Sequence, residues 1–315
     1  MASLLVVTTL AAAVAAYADT TVDVSPESRL WLRNLRGNVV VSTWERNSVR
    51  LQTSPRNKRG TVRIGQRGAS LFIEPSRSGY EDPPSRYTIT VPSWMSVALV
   101  SPDASAHVRG LKGDLLVRTV NGEVEIADNS GAVSVTSVQG PIRVARARGR
   151  LDVNTVNGPI ELSDVRGRIM AETVNGPIEL ARIYADSIEA STVNGFVRFD
   201  GSFQKDGWYR FATHQGDIAV DLPQEPDAQV IVATYSGAFS SDFPVSEPRA
   251  RHGKGLQFTL GDGRAKLQLE SFGGRIRLSR EGRSHTRAMP AFEWRWSSSP
   301  PTPPSSPDDD EEDKK

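Results

Sequence analysis

The chain has 315 residues, no cysteine and a formal net charge of +1. Without thiolates, neither disulfides nor cysteine-ligated metals can hold it, so stability must come from core burial and backbone pairing. The near-neutral, interspersed charge speaks against a nucleic-acid-binding domain, and beyond the N-terminus no long apolar run could anchor the chain in a membrane.

Leu4 to Ala16 is an apolar run too short to span a bilayer as a helix. It ends in Ala16-Tyr17-Ala18, a small-x-small cleavage pattern, and the polar Asp19-Thr20-Thr21 comes next. This predicts a signal peptide over residues 1–18 and an exported protein, in the periplasm or at the cell surface. The competing possibility is a buried N-terminal strand or helix. The positively charged stretch that usually precedes such a run is missing between Met1 and Leu4.

Residues 19–105 predict short strands joined by turns, forming a cap continuous with a solenoid that begins at Ala106. The signal is alternation: Leu30-x-Leu32, Val39-Val40-Val41, Val49-x-Leu51, Val62-x-Ile64, Leu71-x-Ile73 and Tyr87-x-Ile89-x-Val91. No window shows a helical period. Ser25 to Tyr87 holds twelve Arg or Lys against five Asp or Glu. Arg56, Lys58 and Arg59 are therefore a candidate surface for an anionic polymer such as lipopolysaccharide or a teichoic-type chain. Solvated loop charge is the plainer explanation.

From Ala106 to Arg280 a repeat takes over. The phrase Thr-Val-Asn-Gly-Pro-Ile-Glu-Leu occurs at Thr155–Leu162 and again at Thr173–Leu180. Variants start at Thr119, Ser137 and Thr192, and weaker echoes at Thr213, Thr234 and Ser271. The starts step by 18, 18, 18, 19, 21, 21 and 37 residues. A fixed short period marks a repeat architecture.

Asn-Gly between alternating strands is a strong hairpin signal. A two-residue hairpin, however, needs an N–H from the residue after Gly, and Pro141, Pro159 and Pro177 stand there with none to give. Proline fits better at the first residue of a strand after a corner. The sequence thus predicts an all-β fold: a single-stranded right-handed parallel β-helix (β-solenoid) with coils of 18–21 residues. Thr119, Thr155, Thr173 and Thr192 would form one column. Asn121, Gln139, Asn157, Asn175 and Asn194 would form an amide ladder read as an internal seam. Gly122, Gly140, Gly158, Gly176, Gly195, Gly216 and Gly237 would supply a positive φ at each corner. All these are predicted to be structural.

Past Phe199 the units loosen. Trp208 and Tyr209 are a second weak candidate for a binding surface. Pro223–Pro226 and Phe243–Gly255 predict loops inserted into larger coils, and Gly263–Leu278 is the last clear unit. Residues 281–296, with Phe292, Trp294 and Trp296, predict a C-terminal cap, or alternatively a sugar-stacking platform. Residues 297–315 end in an acidic run and predict disorder.

No catalytic, metal or cofactor set declares itself. Glu125, Glu161 and Glu179 share a column with Arg143 and Arg198, which predicts cross-coil ion pairs rather than a catalytic carboxylate pair. His107, His214, His252 and His285 are scattered; only His214 falls in the phrase, at the Val position.

The V-N-G-x-I-x-L repeat, coming after a segment with Tyr87-Thr-Ile-Thr-Val91-Pro92, resembles the bacterial "putative adhesin" family of unknown function over Val24 to Arg280. That family is akin to GIN-motif head domains of autotransporter adhesins. The resemblance implies a right-handed single-stranded β-helix, an envelope or surface location and, in some members, a link to adhesion or envelope-stress signalling. It implies no catalytic residues. The expectation is an exported, non-enzymatic binding or scaffold protein whose partner is an envelope polymer or envelope protein. The alternatives are a polysaccharide-acting β-helix enzyme and a periplasmic sensor or chaperone partner.

Overall fold

A computed structural model describes residues 14–16, 19–54, 62–75, 85–245, 249–251 and 255–280. Arg56, Lys58, Arg59, the proposed aromatic cap and the acidic tail lie outside them. The described residues form an all-β, solenoid-like unit without a helix.

The repeat behaves as the prolines require. Strand Arg148–Asn157 pairs in parallel with Arg166–Asn175, with Leu151 opposite Ile169 and Asn157 opposite Asn175. After the corner, Ile160–Ser163 lies parallel to Ile142–Ala145 on one side and to Ile178 onward on the other. Each partner is 18 residues away, so like stacks on like. The corner backbone also bonds between coils: Gly158 N–H donates to Asn175 O, and Ile160 N–H to Pro177 O, each at 3.0 Å. A hairpin is excluded. Inward residues Leu151, Val153, Ile160 and Leu162 are buried, and successive coils add the same four places to one core. Burying each such side chain contributes about 1.5–3 kcal/mol.

A second corner closes each coil. There Asp128, Arg146, Asp164 and Arg182 all adopt the left-handed conformation, with φ between 51° and 55°. Their charges alternate along the stack. Arg146 holds Asp128 at 2.6 and 3.0 Å, and Arg182 holds Asp164 at 2.8 and 2.7 Å. These hydrogen bonds keep both carboxylates below their ordinary pKa, against the opposing effect of burial.

Both ends depart from sequential stacking. Near the N-terminus, Arg29–Arg33 and Gly37–Trp44 lie against Ser96–Arg109, while the later Ser70–Pro75 and Ser85–Pro92 stack outside them. Antiparallel strands then cover that edge: Val62–Arg67 on one face, and Ser48–Ser54 with Asp19–Asp23 on the other. Val14–Ala16 pairs antiparallel with Val62–Ile64, so part of the predicted signal peptide forms strand here.

At the other end the same exchange occurs. Ala265–Ser271 inserts between Val197–Gln215 and Ala228–Thr234. Gly255–Leu260 and Arg249–Arg251 cover the outer edge antiparallel. The expectation that Phe243–Gly255 is loop is therefore corrected: it leads into the closing strands, because an uncovered final coil would leave a row of unpaired backbone groups. The unit Gly263–Leu278 is not terminal either.

Candidate functional site

The first corner carries three neighbouring columns: the threonines are buried, and the valines and amides that come after them are both exposed where the strand ends at the corner. The threonine column points inward and is the internal seam. Thr119 Oγ1 donates to Ala104 O, Thr173 to Gly158 O, Thr192 to Gly176 O and Thr213 to Gly195 O, at 2.9–3.2 Å. Each hydroxyl thereby fastens one coil to the corner of the coil before. Thr155 occupies the same buried place, but its hydroxyl has no partner.

The amide column is not internal, as the sequence suggested, but faces solvent. Asn121 Nδ2 donates to Asp103, Asn175 Nδ2 to Asn157, and Asn194 Nδ2 to Asn175, each at 2.8 Å. Gln139 continues the column through backbone bridges to Asn121 and Asn157.

The glycines also need a different account. Gly122 and Gly140 do have positive φ, at 141° and 120°. Gly158, Gly176 and Gly195 do not; there a Cβ would run into the carbonyl of the glycine one coil below. Close coil approach, not turn geometry, demands glycine at those corners.

Between the Thr and Asn columns lies a third that sequence reasoning passed over. Val120, Val138, Val156, Val174 and Val193 are 38–42% exposed, an unbroken apolar stripe on the outside. The register carries it onward into rings. His214 comes after Val193 in the stack, then Phe272, then Tyr235. The His214 and Phe272 rings stack at 4.7 Å between centroids, and those of Phe272 and Tyr235 at 4.8 Å and 5° between planes. Tyr235 is 63% exposed. Phe272 comes from the inserted coil, 37 residues after Tyr235, so no period in the sequence announces the trio. The valines were legible: the strand alternation sets them opposite the inward Thr.

A groove of 590 Å³ opens beside the rings, lined by His214, Thr234, Tyr235, Gln268, Glu270 and Phe272. Its acid is balanced from the same face. Arg210 holds Glu270 at 2.7 Å and Glu189 at 2.9 Å, and these bonds raise the guanidinium pKa. The arrangement offers an apolar track, ring edges and amide groups along one line. It provides contact along the stack.

The other sequence candidates separate. Trp208 is partly exposed, but Tyr209 is buried, its hydroxyl donating to Ala185 O at 2.7 Å and accepting from Gln204 N–H at 2.6 Å. With Phe199, Phe203 and Phe211 it fills the core where the coils widen. Tyr209 is therefore not part of a binding surface. In the charge column, Arg143 meets Glu161 at 3.2 Å and Glu125 at 3.7 Å, and also contacts Glu123. Glu161 and Glu179 are direct neighbours. Burial first, and Glu161 second, push the Glu179 carboxyl above its ordinary pKa, with Arg198 opposing.

Among the described residues no group of three or more His, Asp or Glu is placed to hold a metal ion, and no helix is long and apolar enough to cross a membrane.

No curated protein matches the sequence. Solved structures that are similar include a "putative adhesin" from Parabacteroides distasonis, with 10% identity, 84% of this chain and 97% of that chain covered, and a TM-score of 0.42. Another "putative adhesin", from Bacteroides fragilis, has 12% identity, coverage of 86% and 98%, and a TM-score of 0.35. A "putative cell adhesion protein" from Clostridium sporogenes has 10% identity, coverage of 84% and 99%, and a TM-score of 0.21. Scores this low carry nothing beyond the likeness itself. The sequence model of one family, Toastrack DUF4097, matches residues 36–279, and the chain belongs to that family.

Proposed function

We propose that the chain is an exported, non-enzymatic, adhesin-like binding protein of the cell envelope that holds an extended envelope polymer or envelope protein along its first-corner stripe. The observation that carries this is the unbroken column from Val120 to Tyr235, exposed on the outside of the coils. Contiguous exposed apolar surface rimmed by polar groups marks interaction sites. The Asn column beside it supplies hydrogen bonds along the same axis. Residues 1–18 act as the signal peptide and 19–105 as a cap continuous with a right-handed solenoid over 106–280, whose coils take 18–21 residues. The V-N-G repeat supports kinship with GIN-motif adhesin head domains.

The test is an array of envelope glycans and purified envelope proteins probed with the full chain and with a Val156→Ser/Val174→Ser/Tyr235→Ser/Phe272→Ser variant. The expected result is retention of a ligand by the parent and its loss in the variant, with the β circular-dichroism signature intact. Equal retention by both, or none by the parent, sinks the proposal.

A second reading, a polysaccharide-acting enzyme, draws on one observation: the neighbouring Glu161 and Glu179, with the Glu179 carboxyl pushed up toward a proton-donating role. Depolymerisation of an acidic or neutral glycan, abolished by Glu179→Gln, would favour it over the binding role.

A further inference from the structure

Arg-Gly-Arg occurs twice where first-face strands leave the second corner, at 148–150 and 166–168. The pairing sets Arg148 beside Arg166 and Arg150 beside Arg168. Neighbouring strands lie about 4.8 Å apart, so the arginines stack as two pairs, separated by Gly149 and Gly167 with φ of 109° and 118°. All four residues are exposed. Arg150 reaches Asp152 at 3.8 Å. Among the described residues, Arg148, Arg166 and Arg168 pair with no carboxylate, whereas Arg146 and Arg182 next to them are held by Asp128 and Asp164.

Arg148 and Arg166 line a groove with Tyr184, which the paired Asp128 and Arg146 and the paired Asp164 and Arg182 also border. Tyr184 is half exposed, and the Arg166 guanidinium stands 5.8 Å from the centre of its ring. Asn129, at the same corner, belongs to the core column instead. It is only 2% exposed, yet neither its Oδ1 nor its Nδ2 has a hydrogen-bond partner. One coil apart, the same place holds Leu111 and Ala147, then Val165 and Ile183, all apolar and buried. A buried amide without partners in that column is a local cost to the core.

We propose that this groove binds a linear acidic polysaccharide. The arginines take its carboxylate or phosphate groups, and a sugar ring lies against Tyr184. Guanidinium forks match the two oxygens of such anions. Stacking arginines at the coil spacing suits a polymer that repeats its charge. Single-stranded nucleic acid would want a row of open aromatic faces, and here Arg166 already covers one side of the single ring. The site lies at the opposite end of strand Arg148–Asn157 from the stripe at Val156, and it does not rest on the binding role of that stripe.

The full chain is titrated with polygalacturonate, a teichoic-type glycerol-phosphate polymer, neutral dextran and oligothymidylate. The expected result is binding of at least one acidic glycan but not dextran, weakened about tenfold between roughly 50 and 500 mM NaCl. Which of the two binds identifies the anion. Arg148→Ser/Arg166→Ser/Arg168→Ser is expected to lose about tenfold or more, and Lys266→Ser, an exposed cation outside the groove and the stripe, to lose nothing. Asn129→Leu is expected to raise the urea midpoint, because it restores the apolar residue of the other coils, and to leave glycan binding unchanged. Absence of glycan binding, an unaffected triple-Arg variant, or oligothymidylate binding as tight as glycan each overturns the proposal.

Discussion

Thr192 Oγ1 donates a 2.9 Å hydrogen bond to the carbonyl oxygen of Gly176, tying the strand before one corner to the corner one coil earlier. Thr192→Val keeps the shape and removes the donor, leaving that carbonyl without the hydroxyl. The expected cost is about 1–2 kcal/mol in urea unfolding. Thr136, exposed at the end of strand Val133–Thr136, is the control, and Thr136→Val is expected to change stability by less than about 0.5 kcal/mol. Equal costs at the two positions would mean that the threonine column is not a seam.

Gly176 itself is fixed by crowding. Its φ lies outside the left-handed region, but a Cβ would land on the carbonyl of Gly158. Both atoms belong to stacked backbones, so neither can yield cheaply. Gly176→Ala is expected to cost about 1–3 kcal/mol or more, as overpacking does. Around Gly65 nothing lies within 4 Å, and Gly65→Ala is expected to be neutral or slightly stabilising. Thermal melts of the two variants compare them directly, and a tolerated Gly176→Ala would contradict the close approach.

The coil itself was legible because Pro159 forbids the hairpin that Asn157-Gly158 otherwise suggests, and the 18-residue step leaves parallel stacking as the alternative. What escaped the sequence has a common physical cause. Period tells which side of a strand a residue takes, but not which coils become neighbours. Phe272 lies between His214 and Tyr235 because the inserted coil stacks out of chain order, and no local pattern encodes that. Tyr209 looked like surface beside Trp208; alternation put one of the pair inside, and the wide core accepted the larger ring with its hydroxyl satisfied. The Asn column was placed inside because stacked amides bond well in dry seams, yet here the bonds form between exposed side chains. The charge at the second corner was legible in principle. Asp128, Arg146, Asp164 and Arg182 alternate at 18-residue steps.

Two kinds of carboxylate predict opposite pH behaviour. Arg182 depresses the folded-state pKa of Asp164, so its stabilisation is present above the unfolded carboxylate range near 3.8 and is lost as pH falls through the lower folded value. Asp164→Asn is expected to weaken the fold at pH 7 and to match the parent once both carboxylates are protonated. Glu179 is raised above 4.5, so the folded state holds its proton more tightly and the ionised form is unfavourable at neutral pH. Glu179→Gln is expected to stabilise at pH 7, with the gain fading as pH falls through the raised value toward the unfolded one. Urea midpoints across this range give the answer; a gain for Asp164→Asn or a loss for Glu179→Gln at pH 7 would contradict the assigned signs.

The inserted coil leads to a deletion test. Ser271 comes 58 residues after Thr213, and the two are direct partners in the stack. Removing residues 223–262 takes out 40 and leaves a step of 58 − 40 = 18, the period of the regular coils. Leu222 would then join Gly263 directly, with Ala265–Ser271 still on Val197–Gln215 and Ile276–Arg280 still on Ile218–Leu222. The shortened chain is therefore expected to keep its parallel core and its β circular-dichroism signature. It loses Ala228–Thr234 and the antiparallel Gly255–Leu260 that cover the outer edge, so the Ala265–Ser271 backbone is left unpaired. An open edge templates pairing with another chain, and concentration-dependent association by light scattering is the expected consequence. Loss of the β signature would show that residues 223–262 are needed to fold the coils before them; a folded, strictly monomeric product would show that the edge needs no cover.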